Sequence, residues 1–327
     1  MIDMKHARFR LCLAAALLAS VPLAAMGQGY PLKPITFVSS FAPGPGPDLY
    51  LRPLMGKLSQ QLGQPIIMET RAGAGGAIAW QYVTRAAPDG YTLSMTTNST
   101  LIQKYVEPDV GFDSLEQFAH ITRLTLNGSV LVVPASSALM RLEDIIAAAK
   151  ASPGKLNYGS GGSGTPSHLA SASLQAIAGF DAVHIPYKST EVVQALVRGD
   201  LQFSFQVVSF VGPLIRAGKL RALAVTSGTR MHQFPGVPTL NELLKNNLLV
   251  QESWLGLAFP ARTPAALVQR MNAETLKALN DPMVQKGAEN SGNNLVPTRT
   301  PEEYVAFIRR ENEKYRDVVR LSGLGPR

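Results

Sequence analysis

Cysteine is nearly missing from this sequence: one residue, Cys12, among 327. Cys12 lies in a leading apolar stretch, so the rest of the chain offers no disulfide, thiolate nucleophile or cysteine-ligated metal. Histidine is scarce too, at five residues. No two have metal-ligand spacing and none joins a carboxylate–histidine cluster, so no metal site is expected. Aromatics make up only 7%. The formal net charge is +8, yet the basic residues are scattered along helix faces, without a basic run or interleaved aromatics. That pattern speaks against a nucleic-acid partner and for an anion-binding surface.

No apolar run after the leader is long enough to cross a membrane. The leader has the three parts of an export signal. Lys5, Arg8 and Arg10 give a positive start, Leu11 to Leu23 an apolar run, and Ala25-Met26-Gly27 a cleavage point before Gln28. Cys12 falls inside the apolar run and not after it, which argues against a lipid anchor. Residues 1–27 are therefore read as a signal peptide cleaved near Gly27, and the remainder as a soluble periplasmic chain.

What is present is alternation. From Tyr30 onward, short β-rich runs such as "ITFVSSF", "QPIIMET" and "YTLSMTT" alternate with helical patterns. Asp48 to Leu62 places Leu51, Leu54, Met55, Leu58 and Leu62 at helical spacing before Gly63. Thr263-Pro264 and Thr300-Pro301 each set a capping hydroxyl before a first-turn proline, and Glu303 would complete a capping box with Thr300. Repeated βα units imply parallel sheets with helices on both faces. With 46% hydrophobic residues the chain can fill two α/β cores.

The stretch "NYGSGGSGTPSHL", residues 157–169, has glycines at the G-x-G-x-x-G spacing of dinucleotide sites. The acidic residue that would meet the ribose, Asp181, precedes the strand "AVHIPYK" and so falls at the wrong end of a sheet. Threonine follows Gly164, which removes the Walker-type alternative. What survives is a strand-to-helix loop of bare amides and hydroxyls, suited to an anion at a helix start. "SSFAPGPGPDLY" and "RAGAGGAIAW" occupy equivalent settings. A rival reading is an exported serine hydrolase using Ser163 with His168, although no nucleophile elbow surrounds either Ser160 or Ser163.

From "YPLKPITFVSSFAPGPGPD" through "LGQPIIMETRAGAGGAIA", "PDGYTL", "KLNYGSGGSGTPSHL", "VHIPYKST", "GKLRALAVTS" and "FPGVPTL" to "WLGLAFPARTP", the chain resembles the Bug family, the solute-binding receptors of tripartite tricarboxylate transporters. The resemblance implies two Rossmann-like α/β domains joined by a two-crossover hinge, a periplasmic-binding-protein, Venus-flytrap-like fold. Domain I would be residues 28–127 plus 252–327 and domain II residues 128–251. It implies a non-catalytic, monomeric receptor without a cofactor. Such a receptor binds a di- or tricarboxylate or aromatic carboxylate between the domains and delivers it to membrane permease subunits, or presents it to a sensor kinase.

Carried onto this chain, the ligand contacts of domain I would be Phe41, Ala42, Pro43, Gly44, Gly46, Asp48, Thr97 and Asn98. Those of domain II would be Ser160, Gly161, Gly162, Ser163, Gly164, Thr165, His168 and Gln206. Gly164→Val is expected to abolish binding by blocking backbone approach. Pro45 and Pro47 replace residues that in the family carry an N–H, and Gln206 stands where an aspartate is common. These departures point towards a carboxylate with an apolar or aromatic remainder.

Overall fold

Strand β1 (Ile35–Ser39) sends Ile35 and Phe37 to one core and Val38 to another, and all three are fully buried. A strand buried on both faces needs helices on both sides, and the chain supplies them. The computed structural model describes residues 29–44, 47–188 and 191–325. The expected signal peptide and both Pro45 and Gly46 lie outside the described residues.

After β1 come α1 (Asp48–Leu62), β2 (Ile66–Thr70), α2 (Ala77–Thr84), β3 (Thr92–Thr97) and α3 (Ser99–Val106). Strand β4 (Phe118–Pro134) leads to α4 (Leu142–Ala151), β5 (Asn157–Ser160), α5 (Pro166–Ala178), β6 (Val183–Pro186) and α6 (Glu191–Arg198). Then follow β7 (Phe203–Val207), α7 (Val208–Arg216), β8 (Leu220–Val225) and α8 (Leu240–Leu244). Strand β9 (Glu252–Pro260) precedes α9 (Ala265–Ala278), α10 (Pro282–Ser291) and α11 (Pro301–Leu321).

Helix α1 buries the apolar residues its spacing predicted, and Gly63 ends it at φ 70°. Leu51, Leu54, Met55 and Leu58 pack with Phe37, Met95, Leu257 and Met271 in one core. The second half has its own cores. Leu131, Val133, Phe203 and Phe205 point to one side of its sheet, Val130 and Val132 to the other.

The strands run β2-β1-β3-β9-β4 in the first half, and β4 continues into the second, where it pairs with both β7 and β8 while β7-β5-β6 continues the sheet. Strand β4 pairs with β9 through Gly128 and with β7 from Ser129 onward. Here the structure departs from the purely parallel sheets expected. Pairs β1–β2, β1–β3, β5–β6 and β5–β7 are parallel, but β4 and β9 run antiparallel to each other and to their other neighbours. A chain that leaves one sheet and returns to it must run in opposite directions on the two passages.

Two helix starts also differ from expectation. Thr263 does not cap α9; its hydroxyl donates to the Pro260 carbonyl at 2.7 Å. Thr300 does cap α11, accepting from the Glu303 N–H at 3.2 Å. The Glu303 carboxylate, however, accepts from the Arg299 N–H at 2.8 Å, one residue before the cap.

Candidate functional site

The strand-to-helix loops of both halves face each other across a cavity of about 900 Å³. Ligands of open α/β sheets lie beyond the carboxyl ends of the strands, and this cavity occupies that place for β1, β2, β3, β5 and β7. From the predicted set, Phe41, Ala42, Thr97, Asn98, Gly161, Gly162, Ser163, Thr165 and Gln206 line it. Pro43, Gly44, Asp48, Ser160, Gly164 and His168 do not.

Four of these, Gly44, Asp48, Ser160 and His168, have local partners. The Asp48 carboxylate accepts from the Gly44 N–H at 3.2 Å and pairs with Arg52 at 3.0 Å, so it pins its own loop. Ser160 Oγ accepts from the Gly162 N–H at 3.1 Å and lies 2.7 Å from His184 Nε2. The His168 ring stacks on His184 with centroids 3.9 Å apart and rings inclined by 11°. Burial, reinforced by the neighbouring His184, holds His168 down to about 3. Burial lowers His184 as well. Both rings stack on Tyr158 in the second half.

The geometry does not bring together the Ser163–His168 pair that a hydrolase reading would use. Among the described residues no hydrogen bond joins Ser163 to His168, and His168 Nδ1 has no partner. The serine that meets a histidine is Ser160, on His184, and its hydroxyl lies beneath the loop, fully buried.

Asn98 lines the cavity, yet its amide is committed to the protein. Nδ2 donates to the Glu252 carbonyl at 2.7 Å and to the Tyr315 hydroxyl, and Oδ1 accepts from the Trp254 N–H at 2.9 Å. It ties the end of β3 to β9 and α11. Gln206 is 6% exposed and donates to Ser204 Oγ at 2.7 Å.

The loops meet directly. A Cβ added to Gly75 would fall 3.0 Å from the Ser163 carbonyl oxygen, and one added to Gly162 would fall 3.6 Å from the Gly75 nitrogen. The loop from Ala72 to Gly76 therefore lines the cavity. In the sequence it is visible as a third glycine-rich strand-to-helix loop, and its position after β2 is the signal that could have placed it in the site. Tyr50, Tyr187, Ser209 and Phe210 also line the cavity and carried no sequence signal, because single apolar or hydroxyl residues near helix starts read as packing. The charged residues of the lining, Glu107, Lys188 and Glu191, are all exposed at its rim. An anion inside would be held by neutral donors: backbone N–H groups near helix starts, and hydroxyls.

Two α/β halves that share a strand and enclose a cleft between their loops define a two-domain solute-binding protein. The sequence profile described as tripartite tricarboxylate transporter family receptor matches residues 51–324, and the chain belongs to that family of periplasmic binding proteins. It is 31% identical over 297 residues to Protein BugT of Bordetella pertussis, covering 90% of each chain. The solved structure of a periplasmic transporter is 35% identical, with a TM-score of 0.82, covering 89% of this chain and 97% of that one. MatC from Rhodopseudomonas palustris, solved with bound malate, is 27% identical with a TM-score of 0.83, covering 89% of this chain and 100% of that one. Among the described residues no helix is long and apolar enough to cross a membrane.

Proposed function

We propose that this chain captures a small carboxylate in the cleft and delivers it, unchanged, to the membrane permease subunits of a tripartite tricarboxylate transporter. The observation that carries this reading is the cavity itself, whose lining charges all sit at the exposed rim while glycine-rich loops at helix starts face inward. Amides bind an anion reversibly and without a counter-charge, which suits capture followed by release. The malate bound to MatC, a family relative, fits the same ligand class.

In this reading residues 1–27 are an export signal removed near Gly27. Residues 28–127 with 252–327 form one domain and 128–251 the other. The ligand contacts are Phe41, Ala42, Thr97, Gly161, Gly162, Ser163, Thr165 and Gln206, joined by the Ala72–Gly76 loop. Pro43, Gly44, Asp48, Ser160, Gly164 and His168 support these loops from behind, and Asn98 fixes the end of β3. The protein is non-catalytic and acts as a monomer.

Thermal shift against a carboxylate panel tests the proposal. A ligand at a hundredfold excess over Kd adds about 2.7 kcal/mol to the stability of a binding protein. One or more acids should raise Tm and be recovered unchanged. A panel that leaves Tm flat, or an acid that is consumed, overturns the receptor reading.

A further inference from the structure

A short aliphatic diacid leaves much of a cavity of about 900 Å³ unfilled, a size near the top of the range for sites that enclose drug-sized ligands. The surplus surface has a particular character. Phe41, on the loop after β1, and Phe210, in the first turn of α7, approach from opposite halves of the molecule. Their rings meet edge to face, with centroids 6.4 Å apart and planes at 84°. Both are half-buried, and Tyr50 and Tyr187 also line the cavity.

The chemistry beside Phe210 is complementary. Ser209 lines the cavity, is 3% exposed, and among the described residues its hydroxyl has no hydrogen-bond partner. An acceptor oxygen brought next to Phe210 would satisfy it. Aromatic rings gain from edge-to-face and offset packing beyond what area alone provides, and an aliphatic chain gains only the area.

We propose that Phe41 and Phe210 form an aromatic clamp, one ring from each half, that selects a carboxylate carried on an aromatic ring over aliphatic diacids. The clamp rests on the carboxylate-receptor reading and adds to it the class of ligand and the two residues that set it. A ligand ring packed against the edge-to-face pair touches both halves at once, so selectivity and closure act through the same contact.

Isothermal titration of the full mature chain with benzoate, phthalate, adipate and malate decides the matter. Wild type should bind an aromatic acid at least about tenfold tighter than either aliphatic one. Phe210→Leu, which keeps apolar volume but removes the ring, should weaken the aromatic acid about tenfold and the aliphatic acids less than about threefold. Phe210→Tyr should restore the aromatic preference, and the unliganded melting temperature of each variant should confirm folding. Adipate or malate binding as tightly as the aromatic acids, or Phe210→Leu weakening both classes equally, overturns the clamp and leaves the receptor reading intact. Failure of all four acids, with a flat carboxylate panel, overturns both.

Discussion

Gly164 sits at φ +68°, and a Cβ there would meet Gln103 Cγ at 2.8 Å. Gly75 sits at φ +61°, and its Cβ would meet Gln103 Nε2 at 2.4 Å. The two glycines thus accommodate the same side chain from opposite loops, and Gln103 in turn donates from Nε2 to the Ala74 carbonyl at 2.8 Å. For Gly164→Val the structure points to a cause other than blocked backbone approach to a ligand: the new side chain would strike Gln103 and hold the loops apart without touching the ligand. Titration should show affinity reduced more than about tenfold while circular dichroism reports a folded chain. Unchanged affinity would separate the loop contact from ligand capture. Glycine spacing in the sequence disclosed the need for close backbone approach. It did not disclose the approaching partner, because Gln103 lies on a helix of the other half, 61 residues before Gly164 in the numbering.

At the scale of elements, legibility followed the regularity of burial. Helix α1 has one continuous apolar stripe, so its spacing could be read directly. Strand β4 could not be read in full. Its register with β9 shifts between His120 and Thr122 and again between Arg123 and Thr125, and it then changes sheets. Each shift breaks the alternation on which a strand pattern depends. Helix caps were partly legible, since threonine before proline marks a helix start without saying which hydroxyl reaches an amide. Thr300 does so and Thr263 does not. Thr300→Ala should therefore lower stability by about 1 kcal/mol, measurable by urea unfolding, whereas Thr263→Ala removes no cap. Equal losses through α9 and α11 fraying would contradict this assignment.

Across the whole molecule, buried neutral histidines in both halves set a common acid limit. Burial holds His120 down to about 4, against the usual 6.5, and its Nε2 lies 2.8 Å from the Ser114 carbonyl oxygen. His168 is held down to about 3 in the other half. Because the folded values are depressed, the unfolded chain binds more protons once pH falls below 6.5. Their contribution is complete above that pH and is lost progressively as pH falls towards the folded values. At about pH 5 each histidine that stays neutral costs about 2 kcal/mol of stability. The melting temperature should fall between about pH 7.5 and pH 5, and His168→Phe, which keeps a stacked ring, should flatten the decline. A pH-independent Tm over that interval would refute the assignment. The cavity was the least legible feature at this scale, since its walls combine segments from Ser40 to Asn293 that only the fold brings together.

The position of β9 also governs the order in which the molecule can be completed. Strand β9 lies between β3 and β4, so the first sheet stays open until residues 252–260 are available. Strands β5 to β8 precede β9 in the chain and pair only with one another and with β4. In a chain emerging from its N-terminus, the inserted half can therefore assemble before the half that begins the sequence. Strands β1, β2 and β3 can join as soon as residue 97 is made, but β3 and β4 stay apart until β9 arrives to bridge them, so the first sheet is closed by one of the last strands of the chain.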